Sequence, residues 1–104
     1  MKKSWREMEA YVNDGLAIGA ESVSYYEIIG HVRTRRSSTF LEHEIELYTE
    51  LGEALSRFDE LVSYGGYGVA LFKATCDDSM DRPMDADEPK YELIKSWKKE
   101  ENNE

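Results

Sequence analysis

The chain has 104 residues, with 22 Asp and Glu against 13 Lys and Arg, and a formal net charge of −9. This length accommodates one domain, and the aromatic and branched content is too high for a disordered acidic segment. The single cysteine excludes an internal disulfide framework and a cysteine-based zinc site, and the acidic balance argues against direct binding to nucleic acid or to an anionic membrane.

The sequence favours a cytoplasmic protein over a membrane or exported one. No stretch approaches the roughly 20 apolar residues that a membrane-spanning helix needs. Residues 1–7 are basic but lack the apolar run of a secretory signal, so we expect a cytoplasmic protein. A single compact domain is expected over residues 1–98, and residues 99–104, which have no apolar side chain, are expected to fray.

The first predicted element is a short helix from Trp5 to Asp14. Ser4 and Glu7 have the spacing of a capping box, in which each side chain bonds the backbone of the other residue. Gly15 follows the last helical position and suits a helix C-cap.

Two strands are predicted next, over residues 23–34 and 41–47, on either side of a basic turn. The second segment has two possible structures, because the apolar residues between Leu41 and Val62 also fit one long helix. We favour a hairpin, since folding the chain back about Arg36 and Ser37 places the apolar residues of both segments on one side.

The predicted hairpin register pairs Ile28 with Ile45. The same register pairs Gly30 with His43 and places His31 on the opposite side of the hairpin. Two histidines on opposite sides do not share a metal ion, so we expect no metal site there.

The second half of the chain is predicted to form a helix and two strands. The helix is predicted over residues 50–63, with Thr49 as its cap and Gly65 and Gly66 at its end. Residues 67–76 are a strand apolar on both faces, and residues 91–97 favour a last strand over a short helix. The expected fold class is α+β: a single domain with an N-terminal helix and then β-β-α-β-β. We expect a four-stranded, mostly antiparallel sheet with the central helix packed on one face.

The acidic segment from Asp77 to Glu88 has oxygen side chains at positions 1, 3, 5, 9 and 12, a spacing that resembles an EF-hand calcium loop. Arg82 stands where that loop needs glycine, and Pro83 follows it. We therefore expect an acidic contact surface, with cation binding left as an open alternative.

No nucleophile has a base at motif spacing, and the glycines at 65–68 lack the Lys-Ser/Thr of a phosphate loop, so we expect no catalytic residue and no cofactor.

Charge placement is the most informative feature of the sequence. Residues 42–60 and 77–92 hold 14 of the 22 acids. Alternation along a strand places Glu42, Glu44 and Glu46 on one face, about 7 Å apart, which approximates the spacing of phosphates along a nucleic-acid strand. The candidate partner-binding residues are these acids and nearby tyrosines: Glu42, Glu44, Glu46, Glu50, Glu53, Asp59, Glu60, Asp77, Asp78, Asp81, Asp85, Asp87, Glu88, Tyr64 and Tyr67.

The basic residues also cluster, with Arg33, Arg35 and Arg36 at the proposed hairpin tip and Lys95, Lys98 and Lys99 near the C-terminus. Such a tip suits a phosphate or an acidic patch, although solvated turns of this kind are more common.

The function that these patterns favour is a non-enzymatic acidic binding protein covering a basic surface, by electrostatic complementarity. The expected partner is a nucleic-acid-binding protein, as for anti-restriction or anti-CRISPR inhibitors of phages and mobile elements that act as DNA mimics. One alternative is an immunity or antitoxin-like protein that covers a basic nuclease. Others are a homo-oligomeric accessory module, suggested by seven tyrosines, and a small metal-dependent protein that uses the acidic loop.

Overall fold

The computed structural model describes residues 1–77 and 89–99. In these residues the chain forms helices α1 (Trp5–Ala17) and α2 (Leu51–Tyr64) and strands β1 (Ser22–Val32), β2 (Glu42–Tyr48), β3 (Gly66–Asp77) and β4 (Lys90–Lys98). The strands form one antiparallel sheet in the order β2-β1-β3-β4. The predicted α+β class is confirmed, and residues 42–48 form a strand instead of the start of a long helix.

Helix α1 begins as the sequence predicts. The Ser4 side chain accepts a hydrogen bond from the Glu7 backbone N–H at 3.1 Å, and the Glu7 carboxylate accepts one from the Ser4 N–H at 2.9 Å. The predicted C-cap was wrong, because α1 continues to Ala17. Gly15 lies inside the helix, where a Cβ would stand 2.6 Å from a methyl group of Val23. Its role is therefore to let the helix approach the sheet.

Removal of the Ser4 side chain is expected to lower the free energy of unfolding by about 1 kcal/mol, because the Glu7 backbone N–H loses its cap. The change is Ser4→Ala, measured as the shift in a urea-unfolding transition. Ser56→Ala, at an exposed position of α2, is the control and should shift the free energy by less than about 0.5 kcal/mol. Equal effects of the two substitutions would contradict the capping role.

Helix α2 begins one residue later than predicted. Its N-cap is Glu50, whose side chain makes no capping hydrogen bond, so Thr49 does not cap it. The helix ends at Tyr64 because Gly65 adopts a φ of 88°, a left-handed value that favours glycine. The predicted stop at the glycine pair is confirmed.

The two helices pack on opposite faces of the sheet. On one face, α2 covers a cluster whose largest fully buried members come from the helix and the two central strands: Ile28, Val32, Phe58, Leu61 and Leu71. On the other face, α1 covers a second cluster: Met8, Val12, Val23, Tyr25, Leu47, Ala74 and Cys76. The fold is thus three layers, with β1 and β3 apolar on both sides.

The predicted hairpin register was wrong by one residue. In the structure Ile28 lies opposite Glu46, and Ile29 lies opposite Ile45. A shift of one residue moves every side chain of a strand to the other face of the sheet. The prediction assumed that one face of the hairpin is buried, whereas helices cover parts of both faces. The apolar residues of β2 are accordingly divided between the two sides.

Candidate interaction surface

Helix α1 covers only part of its face of the sheet. It packs on the half that contains Val23, Tyr25 and Cys76, and no helix of residues 1–77 or 89–99 covers the other half. We call this uncovered half the open face. The residues that form it, from the strand register and from ring contacts, are Ile29, His31, His43, Ile45, Tyr67, Phe72, Tyr91 and Leu93.

Large apolar side chains are exposed across the open face. Ile29 is 39% exposed, Ile45 is 49% exposed and Leu93 is 55% exposed. The ring of Tyr91 meets the ring of Phe72 edge to face, with 6.2 Å between their centroids. A continuous surface of this kind is uncommon on a soluble domain that has no partner.

The two histidines of the chain meet at one end of the open face. His31 and His43 lie directly opposite each other in the register, so the prediction that they occupy opposite sides was wrong. Their rings stack with 4.5 Å between centroids and an angle of 12° between planes. The ring of Tyr67 packs against His31 with 5.1 Å between centroids, next to an irregularity in the β1–β3 pairing at His31 and Val32.

The open face carries almost no acid, although the chain is strongly acidic. Among the strand acids that the structure describes, Glu27 alone points to this side, and it is only 4% exposed. Burial raises the pKa of Glu27, and its Oε1 atom has no hydrogen-bond partner in residues 1–77 and 89–99. The exposed part of this surface is therefore apolar and aromatic.

The three alternating glutamates of β2 do share one face, as predicted. That face is the one covered by α2, and Glu46 is buried there at 1% exposure. Its carboxylate accepts hydrogen bonds from Arg57 Nε at 3.0 Å, from Arg57 Nη2 at 3.1 Å and from the Tyr48 hydroxyl at 2.7 Å. Glu46 is thus a buried, paired group and not part of an exposed acidic row.

The charges of β2 influence one another. Burial alone raises the pKa of Glu46, but the hydrogen bonds from Arg57 and Tyr48 outweigh it, and the pKa is lowered overall. Partial burial, together with the neighbouring Glu46 carboxylate, raises the pKa of Glu44 to about 7. Glu42 is exposed and accepts a hydrogen bond from the Thr34 hydroxyl at 3.1 Å.

Most of the acids predicted on α2 have cationic partners. Asp59 pairs with Lys95 at 3.1 Å, and Glu60 pairs with Arg57 at 2.7 Å. Glu53 pairs with the N-terminal amine. Glu50 is exposed at the helix start, where no ion pair forms within the described part of the chain. The acidic surface expected from the sequence is therefore partly neutralised.

The remaining residues predicted to bind a partner lie in different parts of the chain. Asp77 is half-buried at the end of β3, Tyr64 is half-buried at the end of α2, and Tyr67 lies on the open face. The other acids of the predicted loop lie outside the described residues: Asp78, Asp81, Asp85, Asp87 and Glu88.

Within residues 1–77 and 89–99, no group of three or more His, Cys, Asp or Glu side chains is placed to hold a metal ion. Cys76 is fully buried beside α1, and burial raises the pKa of its thiol to about 11, which disfavours the reactive thiolate. Neither described helix is long and apolar enough to cross a membrane.

The sequence predictions missed the open face, apart from Tyr67. The sequence signal for this surface was present in Ile29 and Ile45, which are apolar although the predicted register placed Ile29 opposite Glu44.

A comparison with protein-family models, curated proteins and solved structures finds no match to this chain.

Proposed function

We propose that the chain is a non-enzymatic binding protein that docks a partner protein on the open face. The observation that carries this proposal is the uncovered apolar half of the sheet in a chain with a net charge of −9. Solvent exposure of several large apolar side chains side by side lowers solubility, and soluble proteins retain such patches mainly where a partner covers them.

The partner expected on this surface is a protein with an apolar centre and acidic groups at one border. The end of the open face that holds the histidine pair also holds Lys98, whose backbone is opposite Gly68 in β3. No carboxylate of the described residues pairs with Lys98. Carboxylates on the partner would complement this lysine, while apolar side chains would cover the rest of the surface.

Burial of the open face against a partner would supply part of the free energy of binding. Ile29, Ile45 and Leu93 are each close to half exposed, so complete burial of each contributes about 1 kcal/mol. Tyr67 is 57% exposed and stands at the end of an aromatic stack, a position that suits a binding hot spot.

Replacement of Ile45 by aspartate is expected to abolish capture of the partner, because the substitution places a charge in an apolar contact. The measurement is quantitative mass spectrometry of proteins captured from an extract of the native host by the immobilised chain. Ile18→Asp is the matched control, since Ile18 is 87% exposed and lies just after α1, away from the open face.

The expected result is a protein that the wild-type and Ile18→Asp chains both retain and that the Ile45→Asp chain loses. Equal recovery on all three chains would contradict docking at the open face. A second copy of this chain in that role would appear as concentration-dependent dimerisation that Ile45→Asp removes, which would contradict the assignment of a different protein as partner.

We propose, as a second candidate, that the chain covers the basic surface of a nucleic-acid-handling protein, in the manner of anti-restriction or anti-CRISPR inhibitors. The supporting observation is the alternation of three carboxylates on one face of β2, where partial burial and then the neighbouring Glu46 raise the pKa of Glu44 to about 7. A basic partner would relieve the repulsion between these carboxylates, and exposed Glu42 and Glu50 would take part.

The salt dependence of partner binding distinguishes the two proposed binding surfaces. Docking on the open face should survive an increase from about 0.1 to 0.5 M salt, because apolar contacts are not screened. Binding through acids should weaken steeply over that range and should also be reduced in a Glu42→Gln/Glu50→Gln chain. Capture that is lost with salt and with the glutamine substitutions would replace the first candidate by the second.

A further inference from the structure

A groove at one end of the sheet brings together one residue from each of two basic clusters that lie far apart in the sequence. It has a volume of about 450 Å³, and its walls include Arg33, Leu41, Gly65, Tyr67, Trp97 and Lys99. We call it the basic groove. The clusters meet because β1 ends, β3 begins and β4 ends at the same edge, where Val32 lies opposite Gly66 and Lys98 lies opposite Gly68.

The cations of the basic groove have no acidic partner in the part of the chain that the structure describes. No carboxylate of residues 1–77 or 89–99 lies within ion-pair distance of Arg33 or Lys99. In a chain with 22 acids and 13 bases, pairing of basic side chains is the expected outcome. Two cations that no described carboxylate pairs, in one concave site, indicate a place for an external anion.

The end of α2 also borders the groove, and helix C-termini repel anions. Arg33 offsets this effect because its Nη1 donates a hydrogen bond to the Tyr64 carbonyl at 3.3 Å. Gly65 makes room for that contact, since a Cβ at this position would stand 3.2 Å from Arg33 Nη1. The guanidinium is thereby fixed at the groove with further N–H groups left to bind a ligand.

Aromatic side chains make up the apolar part of the groove. Trp97 is half-buried against the cluster beneath α2, and Tyr67 is largely exposed. Flat rings of this kind bind other flat rings through stacking, while arginine and lysine bind phosphate oxygens.

We propose that the basic groove binds a small organic phosphate that carries an aromatic ring, the chemistry of a nucleoside monophosphate. Its volume lies within the range of about 300–1,000 Å³ usual for small-ligand sites. The phosphate would lie between Arg33 and Lys99, and the ring would lie against Trp97 or Tyr67. The groove shares Tyr67 with the open face, but the groove residues Arg33, Trp97 and Lys99 are not part of that docking surface.

The test uses the fluorescence of Trp97 in the full chain. Trp5→Phe leaves Trp97 as the one tryptophan, because the chain contains two. The probe is adenosine 5′-monophosphate, compared with adenosine, which lacks the phosphate, and with ribose 5-phosphate, which lacks the ring. Quenching by the monophosphate at concentrations at least about tenfold lower than by either part is expected, since one lost charge-assisted contact costs about a factor of ten.

Substitution of single basic residues tests where the ligand binds. Lys99→Gln and Arg33→Gln should each weaken binding about tenfold, whereas Lys90→Gln, at the other end of β4, should leave it unchanged. Lys99 is exposed, so its substitution tests the proposal even if the Arg33 variant unfolds. Absence of quenching at millimolar monophosphate, or equal affinity in the Lys99→Gln and Lys90→Gln chains, would overturn the proposal.

Discussion

Replacement of Arg57 by methionine is expected to lower the free energy of unfolding by about 3–5 kcal/mol, the cost of leaving one partner of a buried ion pair alone. Arg57 donates three hydrogen bonds to the Glu46 carboxylate, one to Glu60 and one to the Thr34 carbonyl. Its loss would leave the Glu46 carboxylate, 1% exposed, with the Tyr48 hydroxyl as its remaining donor among the described residues.

The measurement is chemical unfolding of the purified chain at neutral pH. Arg6→Met is the matched control, because Arg6 is exposed on α1 and forms no described ion pair, and should change the free energy by less than about 0.5 kcal/mol. A chain with both Glu46→Leu and Arg57→Met should recover most of the lost stability, since no buried charge is then left unpaired. A loss below about 1 kcal/mol in Arg57→Met would contradict the role given to this pair.

Replacement of Glu27 by glutamine is expected to stabilise the fold by about 1–3 kcal/mol at pH 7, because a buried carboxylate charge is costly and glutamine carries no charge. Burial raises the pKa of Glu27 in the folded state above the value of 4.5 for an exposed carboxyl group. The protonated side chain therefore favours folding below that value, and the benefit is lost as the pH rises through the folded pKa. Glutamine remains neutral and removes this dependence.

The corresponding measurement is the unfolding free energy from pH 4 to pH 8 in both chains. The advantage of the Glu27→Gln chain should grow as the pH rises, and Glu9→Gln, at an exposed position of α1, should give no such trend. A Glu27→Gln chain that is less stable than the wild type at pH 7 would show that the carboxylate has a favourable partner in the folded protein.

The fold could be predicted from local patterns because each element carries its own signal. The capping box of Ser4 and Glu7 marks the start of α1, and the glycine pair after Tyr64 marks the end of α2. Alternating apolar residues indicated the strands, and four strands with a helix between the second and third leave few ways to form one sheet.

The pairing register could not be predicted in the same way. Apolar residues of β2 point to both faces, as Ile45 and Tyr48 show, so no single buried side selects the register. The one-residue error in the register also affected the functional interpretation. The predicted register separates His31 from His43, whose rings are in contact in the structure. It also places Glu46 in an exposed acidic row, whereas Glu46 forms a buried ion pair with Arg57.

The charge pattern was informative about composition but less so about position. The sequence shows where acids are dense, yet their ion pairs depend on contacts across the fold, such as that of Asp59 with Lys95. The same long-range contacts bring Arg33 and Lys99 to one groove, although 65 residues lie between them in the chain. The tertiary structure therefore favours the open face and the basic groove over the acidic patches as candidate binding sites.

The five isoleucines of the chain provide a direct test of docking on the open face. Ile29 and Ile45 lie on that surface, Ile28 is buried beneath α2, and Ile18 is exposed elsewhere. The measurement is the methyl NMR spectrum of the isoleucine-labelled chain in buffer and in a concentrated extract of the native host. We expect the Ile29 and Ile45 methyl signals to shift or broaden while the Ile18 signal stays sharp. Unchanged Ile29 and Ile45 signals, or equal broadening of all exposed isoleucines, would contradict the account.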